Sequence, residues 1–142
     1  MYELAFYCET LSQANRLFRW FKTQDIQPET SIVVINVMPA FAYAEIGDGA
    51  ASYAWGHTSL QERQQVPIRE LVHDMNKLGF DAESKLLTGS RVAELSKFCN
   101  AHAIDRLCLL KSGNFWFDRF MTHQLIKKLS AQTQTKIIGV GD

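Results

Sequence analysis

This sequence contains no long apolar run, which argues against a membrane-spanning protein. The longest aliphatic stretch, residues 32–37, is interrupted by Asn36, whereas a membrane-spanning helix needs roughly 20 apolar residues. The first residues, Met1-Tyr2-Glu3, show no basic region followed by an apolar one, so we expect no signal peptide. We therefore predict a protein that makes no membrane contact.

Cysteine pairs are missing too. The three cysteines, Cys8, Cys99 and Cys108, are an odd number at wide spacing. No Cys-x-x-Cys pair occurs and no histidine stands within metal-ligand spacing of a second soft ligand, so no metal site is expected. Cys8 and Cys108 lie inside apolar runs, where a free thiol is ordinarily buried and unreactive. Unpaired buried thiols indicate a reducing compartment, which predicts a cytoplasmic location.

The sequence also lacks an excess of charge of one sign. Fifteen Lys and Arg balance fifteen Asp and Glu, so no overall field attracts an anionic polymer and we predict no nucleic-acid partner. A net charge of zero does little to keep copies of the chain apart, which permits self-association. The 142 residues suit a single domain over residues 1–142, because two independent cores of half that size would be marginal.

What the sequence does contain is an alternation of short apolar runs with amphipathic stretches. The apolar runs predict five strands, at Leu4–Tyr7, Ile32–Val37, Phe80–Leu86, Leu107–Leu110 and Lys136–Val140. Helices are predicted between them, and the first begins with a capping box in which Thr10 is the cap and Gln13 lies three residues on. Strands separated by helices need right-handed crossovers, which predicts an α/β fold with a parallel sheet covered on both faces.

One segment, residues 38–58, breaks this alternation. It holds one proline, three glycines and several aromatic residues, and we predict a long loop there, which in a compact domain is either functional or mobile. Ser59 and Glu62 then form a second capping box, so a helix is expected from that point to about residue 78. Pro67 is expected to kink this helix or to mark a restart.

Candidate ligand-binding residues follow from the sheet. In an open parallel sheet, ligands bind beyond the carboxyl ends of the strands, where the strand order reverses. This rule selects the turns after the first four strands, which are Cys8–Thr10, Val37–Pro39, Thr88–Ser90 and Lys111–Asn114. A helix follows three of these turns directly, and its free N–H groups and partial positive charge suit a phosphate. The rule locates a pocket without naming its ligand.

The segment 87–95, which contains Gly89 and Ser90, and the segment 103–110, which contains Asp105, together resemble universal stress proteins. In that family a strand, a glycine, a short helix that ends near an aspartate and an apolar strand follow one another. The opening strand, with its turn into a helix, is similar to the family as well. The resemblance implies a five-stranded, Rossmann-like α/β domain that commonly forms a homodimer through its last strand.

The resemblance weakens in the segment that would hold ATP. ATP-binding members carry Gly-x2-Gly-x9-Gly-Ser/Thr after the fourth strand, and such glycines let the backbone close around phosphates. In residues 111–123 of this chain only Gly113 is a glycine. Lys111 and Asn114 stand where the first two glycines are expected, and Thr122 falls near the Gly-Ser end. The family's phosphate-binding motif is therefore degenerate here.

The end of the first strand departs from the family as well. Cys8 replaces the aspartate that the family has there, and Glu9 stands where a glycine is usual. A carboxylate near a triphosphate would repel it unless a metal ion intervened. Lys111 could offset this repulsion by contacting an anion, or it could be an ordinary solvated lysine.

The last predicted strand suggests a partner. Residues 136–140 are apolar apart from Lys136 and contain Gly139, a residue that often permits close approach of another backbone. An exposed apolar edge strand is an aggregation hazard unless it is paired or covered. We expect it to pair with the same strand of a second copy; the alternative is an internal strand that helices alone shield. The residues of this predicted interface are Lys136, Ile137, Ile138, Gly139 and Val140.

We therefore expect a non-enzymatic, universal stress-like protein that acts through protein interaction or stress signalling, with a degenerate nucleotide pocket and no cofactor. In the alternative, the chain binds ATP or another adenine nucleotide through the strand ends and the last helix. The residues of that pocket would be Thr10, Val37, Gly89, Lys111, Gly113, Asn114 and Thr122. A third hypothesis, a small enzyme that acts on a nucleotide-like substrate, rests on fold analogy alone, because the sequence supplies no acid–base pair for it.

Overall fold

Short β-branched and apolar runs form the strands, and the amphipathic stretches between them form the helices. The computed structural model describes residues 2–38, 50–111 and 116–141, with the side chains of 2–38, 61–111 and 121–141. In chain order the elements are β1 (Leu4–Tyr7), α1 (Leu11–Lys22), β2 (Ser31–Met38), α2 (Ala50–Lys77), β3 (Asp81–Thr88), α3 (Arg91–Ala101), β4 (Arg106–Leu110), α4 (Trp116–Gln132) and β5 (Lys136–Val140).

The five strands form one parallel sheet in the order β3-β2-β1-β4-β5. The chain moves outward from β1 through β2 to β3, then returns to the other side of β1 and moves outward again through β4 to β5. The strand order therefore reverses between β1 and β4. The predicted α/β fold with five parallel strands is confirmed.

Two apolar cores lie on the two faces of the sheet. α1 and α2 cover one face, where Leu17, Phe21 and Leu71 are buried against the strands. α3 and α4 cover the other face, where Leu95 and Leu129 are buried. Every residue of β2 from 32 to 38 is buried, which explains its unbroken apolar character, since a parallel strand with helices on both sides has no solvent face.

The predicted cap of α1 forms at Thr10, whose hydroxyl accepts a hydrogen bond of 3.1 Å from the Gln13 backbone N–H. This bond satisfies one of the donors that a helix start leaves free. The return bond differs from that of a capping box, because the Gln13 side-chain oxygen accepts one of 2.8 Å from the N–H of Glu9, the residue before the cap. Together the two bonds fix the direction in which the chain leaves β1.

The second capping box was a wrong prediction. Helix α2 begins at Ala50, so Ser59 and Glu62 lie within it and the predicted loop of residues 38–58 is helical from residue 50 onward. Three alanines in the first five residues of α2 favour a helix, and they outweigh the single glycine that follows. Residues 39–49 lie outside the described part of the chain. α2 also runs through Pro67, so that proline does not divide it into two helices.

A buried amide ties β2 to the middle of α2. Asn36 is fully buried and donates hydrogen bonds to the Gln64 backbone oxygen at 3.0 Å and to its side-chain oxygen at 2.8 Å. The Asn36 side-chain oxygen accepts from the Val37 N–H at 2.8 Å. The polar residue that interrupts the apolar run is thus satisfied inside the core.

The three cysteines are free and buried, as predicted. Burial raises the pKa of the Cys8 and Cys108 thiols to about 12, so both remain protonated thiols near neutral pH. Because the thiolate is the reactive form, we expect no reaction with a disulfide reagent such as DTNB in the folded protein and three equivalents in urea. Rapid reaction of one thiol in the folded state would contradict this.

The same thiols make the free energy of unfolding depend on alkaline pH. An unfolded thiol ionises near its ordinary pKa of 9, whereas the folded Cys8 and Cys108 thiols hold their protons to about 12. Between these values the unfolded state releases protons and the folded state does not, so stability falls as pH rises, by about 1.4 kcal/mol per pH unit for each thiol. Urea denaturation across this range should give a shallower slope for the Cys8→Ala/Cys108→Ala variant; equal slopes would contradict the prediction.

Candidate functional site

The candidate site lies at the carboxyl ends of the strands, around the point between β1 and β4 where the strand order reverses. On one side of this point, β1 and β2 are joined beyond the strand end by the bond from Cys8 N–H to Ile35 O at 3.0 Å. β3 follows on the same side, and Gly89 N–H donates to Met38 O at 2.9 Å. The turns after β1, β2 and β3 are thus brought side by side, as the sequence analysis expected.

A cluster of three side chains joins the end of β1 to the start of α3. The Tyr7 hydroxyl donates a hydrogen bond to the Glu9 carboxylate, and Arg91 Nη2 lies 2.5 Å from the same carboxylate oxygen. The Arg91 guanidinium also lies over the Tyr7 ring, 5.7 Å from its centroid, in a cation–π arrangement. We refer to Tyr7, Glu9 and Arg91 as the Glu9 cluster.

The Glu9 cluster is half-enclosed. Tyr7 is buried, and this burial, followed by the neighbouring Glu9 charge, raises the pKa of the Tyr7 hydroxyl well above its usual range. Tyr7 therefore remains a protonated donor to the carboxylate. The Glu9 and Arg91 side chains keep 31% and 44% of their surfaces exposed, so solvent or a ligand can reach the ion pair from outside.

Gly89 positions Arg91 at the head of α3. It has a φ of +138°, a conformation that residues with a Cβ rarely adopt. A Cβ there would also lie 2.9 Å from Cγ and Oε1 of Glu94, whose side chain folds back over the turn. Both constraints favour glycine, and two residues later the helix begins with Arg91.

The Cys8 thiol lies apart from this cluster. Cys8 is fully buried in the core beneath α1 and α2, and its Sγ contacts the Thr10 carbonyl oxygen at 3.4 Å. Successive strand residues face opposite sides of a sheet, so the Cys8 side chain lies on the opposite face from the side chains of Tyr7 and Glu9. The residue that replaces the family's aspartate is thus part of the core.

Lys111 is turned away from β1. Its side chain lies across Gly139 of β5, where a Cβ would come within 2.5 Å of Lys111 Cγ. β5 is on the side of β4 that faces away from β1, so the aliphatic chain of Lys111 leaves the switch point instead of entering it. The close approach expected at Gly139 is therefore made by this side chain of the same molecule.

The remaining predicted site residues occupy different settings. The Thr10 hydroxyl accepts the capping bond described above, and Val37 is buried in the core beneath α3 and α4. Thr122 lies half-buried within α4. Gly113 and Asn114 lie outside the described residues.

Two members of the Glu9 cluster, Tyr7 and Arg91, were not among the predicted site residues. Arg91 follows Gly89-Ser90 directly, so a cation at the first position of a helix above the strand ends was the available signal. Within residues 2–38, 50–111 and 116–141, no group of histidine, cysteine and carboxylate side chains could hold a metal ion. Nor is any described helix long and apolar enough to cross a membrane.

A five-stranded parallel sheet with two helices on each face and a central switch point defines a Rossmann-like α/β protein. No protein-family model and no curated protein sequence matches the chain. Solved structures do match it over nearly its whole length. The hypothetical protein MJ0577, the subject of a structure-based assignment of biochemical function, superimposes with a TM-score of 0.75 at 11% identity, covering 100% of this chain and 97% of that one.

Further matching structures carry the name of the universal stress protein family, and two of them illustrate the match. The universal stress protein UspA from Lactobacillus plantarum gives a TM-score of 0.64 at 9% identity, with 99% of each chain covered. The universal stress protein from Archaeoglobus fulgidus in complex with dAMP gives 0.60 at 9% identity, covering 98% of this chain and 97% of that one. The chain therefore has the universal stress protein fold, as the sequence resemblance implied.

Proposed function

We propose that this chain is a non-enzymatic binding module with the universal stress protein fold, acting through protein interaction and stress signalling, in which the nucleotide crevice does not accept ATP. The observation that carries the proposal is the Glu9 cluster. It places a carboxylate at the end of the central strand, where a triphosphate would need cations or bare backbone.

The charges around the crevice support this proposal. Arg91 is already engaged with Glu9 at 2.5 Å, and Lys111 lies over β5. A triphosphate entering beside β1 would have to displace the Glu9 carboxylate from Arg91 or remain next to it. Either event costs interaction free energy that a glycine at position 9 would not cost.

A second candidate is the binding of an adenine nucleotide with fewer phosphates. It is favoured by the Archaeoglobus fulgidus structure, which holds dAMP on the same fold, and by the Gly89 turn, which leaves a helix start close to the strand ends. A single phosphate carries less charge toward Glu9 than a triphosphate does, so the repulsion is smaller.

Ligand linkage separates the two candidates. A nucleotide present at about 100 times its Kd stabilises the folded state by about 2.7 kcal/mol, which raises the thermal midpoint by several degrees. We expect no rise with ATP at about 1 mM, a concentration that would reveal any Kd near 10 µM. A rise with dAMP or AMP but not with ATP supports the second candidate. A rise with ATP in the unaltered protein overturns the proposal.

Glu9→Gln tests whether the carboxylate is the cause. This substitution removes the charge and keeps a side chain of nearly the same size, so ATP should now raise the midpoint. Glu3→Gln is the matched control, because Glu3 precedes β1 at the opposite edge of the sheet. If ATP stabilises neither variant, Glu9 is not what excludes the triphosphate.

We further propose that the chain forms a homodimer through β5 and works in the cytoplasm. Ile137 and Ile138 on β5 are only half-buried, and in the described part of the chain this strand pairs with β4 alone. The three free thiols suit a reducing compartment.

A further inference from the structure

A groove separate from the Glu9 cluster lies beside α1, near the end of β5. It has a volume of about 610 Å³ and is lined by Arg16, Arg19, Trp20, Thr23 and Gly141. Among the described residues, neither the Glu9 cluster nor Thr10, Val37, Gly89, Lys111 or Thr122 lines it. We refer to it as the α1 groove.

The α1 groove is locally basic in a protein of zero net charge. Helix α1 carries Arg16, Arg19 and Lys22 and contains no acidic residue. Arg19 is exposed, and no ion pair is formed by it within the residues that the structure describes. The Lys22 ammonium lies over the Phe18 ring at 4.9 Å. Of the described residues that line the groove, Arg16 and Arg19 are cationic and none is acidic.

An aromatic ring also lines the α1 groove. Trp20 is half-buried, and its ring meets Phe6 edge-on at 6.2 Å between centroids, which fixes the indole against the core. Residues three and four apart on a helix are neighbours, so Arg16 lies next to both Arg19 and Trp20. The groove thus combines two guanidinium groups, which bind phosphate or carboxylate oxygens in a bidentate manner, with a held indole.

We propose that the α1 groove binds a small aromatic anion, a ring that carries a phosphate or carboxylate group, with the ring against Trp20 and the anion on Arg16 and Arg19. The volume lies in the range of small-molecule pockets. A long polyanion fits less well, because zero net charge gives no field beyond the groove to hold it. This site is additional to the proposed function and does not depend on it.

The test is an NMR titration with phenyl phosphate as the probe. The indole N–H resonance of Trp20 is assigned by its loss in Trp20→Phe, and it should shift saturably. Inorganic phosphate and phenol, each one half of the probe, should bind at least about tenfold more weakly. Arg19→Gln should weaken phenyl phosphate binding about tenfold. Lys22→Gln, on the same helix but with its ammonium over Phe18, is the matched control and should change little.

Several results would overturn the proposal. Equal binding of phenyl phosphate and inorganic phosphate would show that the ring plays no part. Equal losses in Arg19→Gln and Lys22→Gln would show general attraction to a basic helix. Tighter, Arg19-dependent binding of a short single-stranded oligonucleotide would identify a nucleic-acid surface instead. Glu9→Gln should leave the phenyl phosphate titration unchanged, so failure here and failure of the proposed function are distinguishable.

Discussion

Asn36→Asp is expected to destabilise the protein by about 3–5 kcal/mol, one of the two largest effects that we anticipate. The Asn36 amide donates to two oxygens of Gln64 at 2.8 and 3.0 Å in a fully buried position. An aspartate there would lack the amide N–H donors, and its carboxylate would lie against the two Gln64 oxygens without a counter-charge. The free energy of unfolding from urea denaturation near neutral pH measures the effect.

The same substitution carries its own pH signature. Burial next to acceptor oxygens raises the pKa of the introduced carboxyl, because only its protonated form can donate to Gln64. The deficit relative to the unaltered protein should therefore begin to shrink as pH falls through the raised folded pKa, and its charge-dependent part should be lost once pH is below the unfolded value of about 3.9. A constant deficit would show that loss of packing, and not charge, is responsible.

Asn76→Asp provides the matched control. Asn76 also lies on α2, but it is exposed and its side-chain oxygen accepts a 3.0 Å hydrogen bond from the Ala82 N–H. A carboxylate preserves that acceptor and remains in contact with water, so we expect a change within about 0.5 kcal/mol. Equal effects at both positions would contradict the role assigned to the buried donor.

Local residue patterns were enough to predict much of the fold. The β-branched run of residues 32–37 identified a strand buried on both faces, since no polar residue interrupts it apart from Asn36. The pair of Thr10 and Gln13 identified the start of α1, because the cap bond joins residues only three apart in the chain. The start of α2 was missed, because several alanines and glycines in one segment left its intrinsic preference ambiguous.

The candidate site was less predictable because its contacts join distant parts of the chain. Glu9 and Arg91 meet only after the chain has crossed from β1 to α3, and no local pattern links them. The direction of the Lys111 side chain depends on the absence of a side chain at Gly139. Gly139 lies on β5, which is separated from Lys111 in the chain by helix α4. The positions of the turns that form the site follow from the order of the strands, whereas the side-chain orientations within them depend on these distant contacts.

Gly139→Pro is expected to weaken the proposed dimer about 10- to 100-fold, the second of the largest effects. The Lys136 N–H donates toward β4, to Asp105 O at 2.9 Å. Because alternate residues of a strand direct their N–H groups to opposite sides, the N–H groups of Ile137 and Gly139 point toward the free edge. Proline at position 139 removes one such donor from each copy and leaves the bonds to β4 in place.

Any Cβ at position 139 would displace the Lys111 side chain. This effect must be distinguished from the loss of the N–H group at the edge of the sheet. We therefore compare Lys111→Ala/Gly139→Pro with Lys111→Ala/Gly139→Ala, since both relieve the crowding and only the first removes the edge donor. Sedimentation should show a dimer for Lys111→Ala/Gly139→Ala and for the unaltered protein. For Lys111→Ala/Gly139→Pro, called the proline pair, the Kd of the dimer should rise about 10- to 100-fold. The reason is that two hydrogen bonds are lost and a proline ring lies at the edge of the sheet.

The result depends on the fold being retained in the proline pair, which far-ultraviolet circular dichroism and a cooperative urea transition would establish. A folded monomer then locates the contact at β5, because the outward N–H groups of an edge strand are available to pair with a second strand. A monomeric unaltered protein, or a proline pair that remains dimeric, would place any self-association on another surface. Either outcome would leave the half-buried Ile137 and Ile138 side chains covered by the helices of their own molecule.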